Sequence, residues 1–215
     1  NNIGSSISGG GGMACAQTAS MSVESGARVL IANNFAGTGG GGSFFDCAVH
    51  VLGSNSELLL TGNVAASLQG GGGAALGGKN LLLITDGGKL SILNNTALHG
   101  SGGGILMLMK AVIKTEGLLS LLVVSDNQAK KDGGGIALSS GQVLKLEAPS
   151  VFRSNTATRG GGGGIGFAGD EKDNGDGNCV SILLNITADK TAAAGHMRVY
   201  TSPESPLVSS SFDQV

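Results

Sequence analysis

The sequence predicts an all-β chain wound into a right-handed parallel β-helix, about seven coils of roughly 30 residues each, with essentially no helix. Three observations carry this. An Asn returns at a fixed phase along the whole chain, a run of glycines follows each Asn, and the residues between are short apolar strands bounded by turn residues.

The phased residues are Asn2, Asn34, Asn63, Asn95, Asn127, Asn155 and Asn185. Three places before the Asn stands Ile31, Leu60, Ile92, Val124, Phe152 or Ile182, always apolar. Two places after it stands Gly4, Ala36, Ala65, Ala97, Ala129, Ala157 or Thr187, always small. The glycine runs are 9–12, 39–42, 70–73, 102–104, 133–135 and 160–164, and a seventh decays to Ala193-Ala194-Gly195. One coil of such a unit cannot bury its inward face, so coils stack and share a core. Identical positions then fall about 4.8 Å apart, the strand spacing. Stacked Asn side chains can bond amide to amide, which offsets the cost of turning a polar group inward. The small residue fits a bend, and the glycine run fits a corner where backbones approach closely.

Between the marks, 28–32, 58–60, 81–84, 90–93, 118–124, 143–146 and 180–184 read as strands. There is room for about three per unit. No segment sustains a 3.6-residue period. The phase is already open at Asn2, and Val215 stands where a further Asn is due. Residues 1–215 are therefore read as a single β-helix domain and as a piece of a longer repeat protein.

Composition narrows the function classes. Glycine is 40 of 215 residues, charged residues are 13%, aromatics 3% and hydrophobics 40%. Apolar material is ample for a core, so disorder is not expected. The formal net charge is −2 and no basic run is interleaved with aromatics, which argues against nucleic-acid binding. The longest apolar stretch, 105–124, is interrupted by Lys110, Lys114 and Glu116, so no membrane span is expected.

Phe152-Arg-Ser-Asn155 and Gly133-Gly-Gly-Ile136 resemble the paired tetrapeptides of the chlamydial polymorphic outer membrane protein repeats. The wider likeness is to pectin-lyase-like right-handed parallel β-helices, and it covers nearly the whole chain. Phe stands at the first mark only once, the glycine runs are longer than in that family, and residues 1–215 include no C-terminal membrane barrel. The resemblance implies a secreted or surface-displayed adhesin or structural protein.

The site candidates are few. Asn34, Asn63, Asn95, Asn127, Asn155 and Asn185 are expected to form the structural ladder. The dense acidic stretch 170–178 offers Asp170, Asp173 and Asp176 as candidate Ca²⁺ ligands, although Lys172 occupies the first position of the calcium-loop pattern. Turn chemistry alone also explains it, because Asp, Asn and Gly suit turns. Otherwise no cofactor is expected. Cys15 and Cys47, about one repeat apart, are candidates for a disulfide, and Asn94 in Asn94-Asn95-Thr96 for glycosylation. Gly73 to Asn80 approaches a phosphate-binding loop but has Asn80 where the Mg²⁺-binding hydroxyl belongs. Asp46, Asp86, Asp126 and Asp132 are scattered singly, and His50, His99 and His196 have no ligand spacing, so no catalytic residue is assigned.

The functional expectation is an extracellular structural or surface protein: a rigid rod serving as stalk, adhesin segment or filament subunit. Its expected partners are neighbouring chains or further repeats, joined end to end, and a surface glycan or receptor. The alternative is a carbohydrate-binding or polysaccharide-degrading β-helix enzyme whose active residues lie partly outside residues 1–215.

Overall fold

The computed structural model describes residues 2–3, 9–139 and 142–168, together with the backbone of a strand at 181–186. The first coil carries β1 (Met13–Ala16), β2 (Ser20–Val23), β3 (Arg28–Ala32) and β4 (Phe35–Ala36). The second carries β5 (Gly42–Phe45), β6 (Ala48–Leu52), β7 (Glu57–Thr61) and β8 (Val64–Ala65). The third repeats this as β9 (Ala74–Gly77), β10 (Leu81–Thr85), β11 (Lys89–Leu93) and β12 (Thr96–Ala97). The fourth has β13 (Ile105–Met107), β14 (Val112–Thr115), β15 (Leu121–Ser125) and β16 (Gln128–Ala129). The fifth has β17 (Ile136–Leu138), β18 (Val143–Arg153) and β19 (Thr156–Ala157), and β20 (Ile165–Phe167) and β21 (Ser181–Ile186) follow.

The chain is a parallel β-solenoid with no helix among the described residues. Row one stacks β1, β5, β9, β13, β17 and β20, and row four stacks β4, β8, β12, β16 and β19. Between them run row two, from β2 through β14, and row three, from β3 through β15. In the first four coils a turn separates these two rows, at Gly26, Gly53, Gly87 and Gly117, each with positive φ. The fifth coil has Glu147-Ala148-Pro149 instead. Its strand β18 runs uninterrupted for 11 residues, pairing with β14 by its first half and β15 by its second.

Two expectations need correction. A unit holds four strands rather than three, the extra one being the two-residue strand just after each Asn. It is too short to show any alternation in sequence, and only its pairing with the coils on either side defines it. Among the described residues the coils number about five rather than seven, with six strands in row one and five in row four.

Inward residues form continuous columns. Val49, Leu82, Ile113 and Leu144 stack in row two, Leu60, Ile92 and Val124 in row three, and Leu76, Met107 and Leu138 in row one, all fully buried or nearly so. The apolar mark of the sequence is thus the innermost residue of row three, which places the following Asn at the corner between rows three and four.

Candidate functional site: an asparagine–glycine corner and its outer faces

The corner is built from backbone sterics upward. The residue before each Asn lies in the left-handed region: Asn33, Gly62, Asn94, Asp126 and Ser154 have φ between 50° and 63°. Asn, Asp and Gly tolerate this conformation best, and the reversal turns the next side chain inward. Asn34, Asn63, Asn95 and Asn127 are accordingly buried.

The amides bond to one another along the stack. Asn95 Nδ2 donates to Asn127 Oδ1 at 3.0 Å and to Leu60 O at 3.0 Å. Its Oδ1 accepts from Asn63 Nδ2 and from the Asn63 backbone N–H, both at 3.0 Å. The column continues from Asn2 to Asn34, on to Asn63, and from Asn127 to Asn155. At Asn63, Asn95 and Asn127 both amide hydrogens and both acceptor sites of the oxygen are thus paired. Asn185 stands elsewhere. Its strand β21 pairs Ile182 with Leu144 in row two, not with Phe152 in row three. The stretch after β20 is longer than in earlier units and shifts the phase, so the apolar-x-x-Asn pattern at 182–185 falls one row early.

The glycine runs are the other wall of this corner. A Cβ on Gly41 would stand 2.6 Å from Gly73 O and 2.8 Å from Asn63 Nδ2, and one on Gly72 would stand 2.6 Å from the backbone of Thr96. The strip therefore packs directly on the Asn amides and on the row-four backbone, with no side chain between. Glycine is required here for close approach, which is why runs and asparagines share one period. The resemblance of Gly73 to Asn80 to a phosphate loop has the same origin: Gly73 donates to Gly104 O at 2.8 Å in the stacked strip.

On the outer face of row three, Glu57 sits between Arg28 and Lys89 of the coils on either side. Arg28 Nη2 donates to Oε2 at 2.7 Å, and Lys89 Nζ and Ser91 Oγ donate to Oε1 at 2.9 and 3.0 Å. Burial pushes the Glu57 carboxyl up, but the hydrogen bonds from Lys89, Ser91 and Arg28 outweigh it and hold the carboxyl below its ordinary value. On row two, Lys114 pairs with Glu116 and Lys145 with Glu147. These networks were not singled out in the sequence, though a signal exists: Arg28, Glu57 and Lys89 hold one phase, six places before successive ladder asparagines.

The scattered aspartates serve turns. Asp46 Oδ1 accepts from the Lys79 N–H at 2.8 Å, Asp132 Oδ1 from Gly161 N–H at 2.9 Å, and Asp126 Oδ2 from Ser125 Oγ at 2.7 Å. His50 lies on the outer face of row two and His99 at an exposed corner. His196 and the acidic Asp170, Asp173 and Asp176 lie outside the described residues. No group of three or more metal-ligating side chains occurs among the described residues. Asn94 is exposed in its left-handed turn.

Cys15 and Cys47 are both buried and both free thiols. They are not stacked in register, because Cys15 pairs with Phe44 and Cys47 lies beyond the Asp46 corner. Their side chains nonetheless meet across that corner. Burial, then the adjacent Cys15, push the Cys47 thiol up to about 12. Asn80 Nδ2 donates to Cys47 Sγ at 3.3 Å.

No helix among the described residues is long and apolar enough to cross a membrane. No family model, no curated protein and no solved structure matches the chain.

Proposed function

We propose that the chain is an extracellular structural protein, a β-helical rod that serves as a stalk, adhesin segment or surface-filament subunit. The observation that supports it most is the unbroken axial column of amides from Asn2 to Asn155, walled by the glycine strip. Such a column adds nothing to the outer surface, whereas it couples every coil to the next and resists bending of the stack. The tetrapeptide likeness to the chlamydial polymorphic outer membrane repeats, and the wider likeness to pectin-lyase-like helices, support placement at a cell surface. The charged side chains weigh the same way against the enzyme alternative. Among the described residues, Glu57, Glu116 and Glu147 are tied to neighbouring cations, and Asp46, Asp126 and Asp132 to turns.

The test is protease shaving of intact source cells, read with an antibody against the chain. Loss of signal without lysis is expected, and full protection until lysis would overturn the surface role. Small-angle scattering of the purified chain tests the rod. Excising residues 64–95, one repeat in phase, should shorten the particle by about 4.8 Å while the profile remains that of a stiff rod.

A further inference from the structure

We propose that Cys15 and Cys47 form a redox-operated latch that locks the first coil onto the second. The two residues belong to different coils. Cys15 lies in β1, in register with Phe44 of β5, and is part of the core. Cys47 stands at the corner between rows one and two of the second coil. That corner has two residues, Asp46 and Cys47, where the corners of the first and third coils have three, 17–19 and 78–80. Thr18 N–H donates to Asp46 O at 2.7 Å and Ala48 N–H to Ala19 O at 3.0 Å, so the short corner is clamped to the longer one of the first coil. Inside this clamp the two thiols meet. Cys47 is also fixed to the third coil. Leu81 N–H donates to its O at 3.1 Å, and Asn80 Nδ2 to its Sγ at 3.3 Å. A disulfide sulfur keeps a lone pair for that donor, so closing a bridge breaks no hydrogen bond there.

The first coil is held less tightly than the coils inside the stack. Its inward residues Met13, Met21 and Val29 are only partly buried. Val49 and Leu58, the register partners of Met21 and Val29 one coil on, are each 1% exposed. Among the described residues, β1, β2 and β3 each pair on one side only. Segments with few buried contacts open locally before the rest of a fold does. A covalent bond from Cys15 to Cys47 crosses the interface at which this opening takes place.

The oxidant is a small disulfide such as oxidised glutathione. Cys15, 9% exposed against 3% for Cys47, is the more accessible thiol. As a thiolate it attacks the small disulfide, forms a mixed disulfide and releases one glutathione thiolate. Cys47 then gives up its proton and attacks Cys15 Sγ, which closes the protein bridge and releases the second glutathione. Each glutathione thiolate takes up one proton, so two protein thiols are oxidised and one small disulfide is reduced. Burial keeps both thiols from reacting while the coil is closed, so the latch closes through the brief openings that it then suppresses. A reducing cytosol leaves it open and an oxidising exterior shuts it. The inference goes beyond the surface reading above: it gives the rod a terminal coil whose hold on the stack depends on the compartment.

The test is amide hydrogen exchange on the full chain, once in dithiothreitol and once after equilibration with oxidised glutathione. Peptide mapping without reduction should show the Cys15–Cys47 bridge within one chain. The Met13, Thr18 and Asn33 amides, which donate to the second coil, report on the latch, and the Gly103 amide, which donates to the fifth coil, is the control. Closing a loop of about one repeat should slow exchange at the first three on the order of 100-fold and leave Gly103 unchanged. Dithiothreitol should restore the original rates. A Cys15→Ala with Cys47→Ala variant should show no difference between the two buffers. If that variant does not fold, the comparison of the reduced and oxidised wild-type chain decides alone. The proposal fails if no bridge forms, if the cysteines join two chains instead, if the bridge forms without slowing the first coil, or if Gly103 slows as much. Protease shaving of cells reports where the chain sits whatever the thiols do, so either reading can fail without the other.

Discussion

Replacing Asn95 by Ala removes four hydrogen bonds from the middle of the column at once. Asn63 loses both the acceptor of its backbone N–H and one of two acceptors for Nδ2, Asn127 Oδ1 loses one of two donors, and Leu60 O loses its side-chain donor. A buried hydrogen bond contributes about 1 kcal/mol net, and a buried N–H left without any partner costs about 1–3 kcal/mol. The Asn63 backbone N–H is such a group. The expected loss is therefore about 4–6 kcal/mol, a large part of the ~5–15 kcal/mol that holds a typical domain. Asn95→Asp should be worse, because it sets a second acceptor against Leu60 O and Asn127 Oδ1 where Nδ2 donated. Asn94→Ala is the internal control. Asn94 is exposed, and only its left-handed φ of 54° is at stake, about 1 kcal/mol. Equilibrium urea unfolding gives all three values, and amide exchange at Gly73 and Gly104 locates the damage. If Asn95→Ala cost no more than Asn94→Ala, the column would be an ornament of the stack and not its support.

Other outcomes follow from the same geometry. Gly73→Ala sets a methyl 2.6 Å from Gly104 O and 3.1 Å from the Asn95 amide, so it should destabilise by about 2–3 kcal/mol, measured by the same unfolding, despite alanine's better strand entropy. Glu57 is held below its ordinary value in the folded chain, so its contribution is complete above the unfolded carboxyl range, about 4.3, and drains away as pH falls through the folded value. Glu57→Gln should cost about 1 kcal/mol at neutral pH, since Arg28 and Lys89 remain largely solvated, and should flatten the acid limb of a pH–stability curve. Oxidised glutathione should join Cys15 to Cys47, each thiol losing its hydrogen as glutathione disulfide is reduced. Mass spectrometry should show that bridge and a higher melting temperature, and a Cys15→Ser variant should show neither.

The parts legible in the sequence are those where each copy meets the same surroundings. Ile92, Asn95 and the glycines at 102–104 recur because every coil presents the same corner to the next. What the sequence hides is made by the stacking itself. The row-four strands are two residues long and exist only through their neighbours. Asn185 carries the right local pattern in the wrong row, because phase within a coil depends on the length of the stretch before it.

The amide column has a direction. Every bond between ladder side chains donates from the coil nearer the N-terminus to the coil after it, from Asn34 to Asn63 to Asn95 to Asn127 to Asn155. The stack is therefore a vector, with carbonyl oxygens receiving on one side and amide hydrogens offered on the other. Two such columns brought together by like ends would set acceptor against acceptor or donor against donor. Continuation is possible only head to tail, so any fibre that extends this column by its amides is polar, with two chemically distinct tips and two distinct rates of growth.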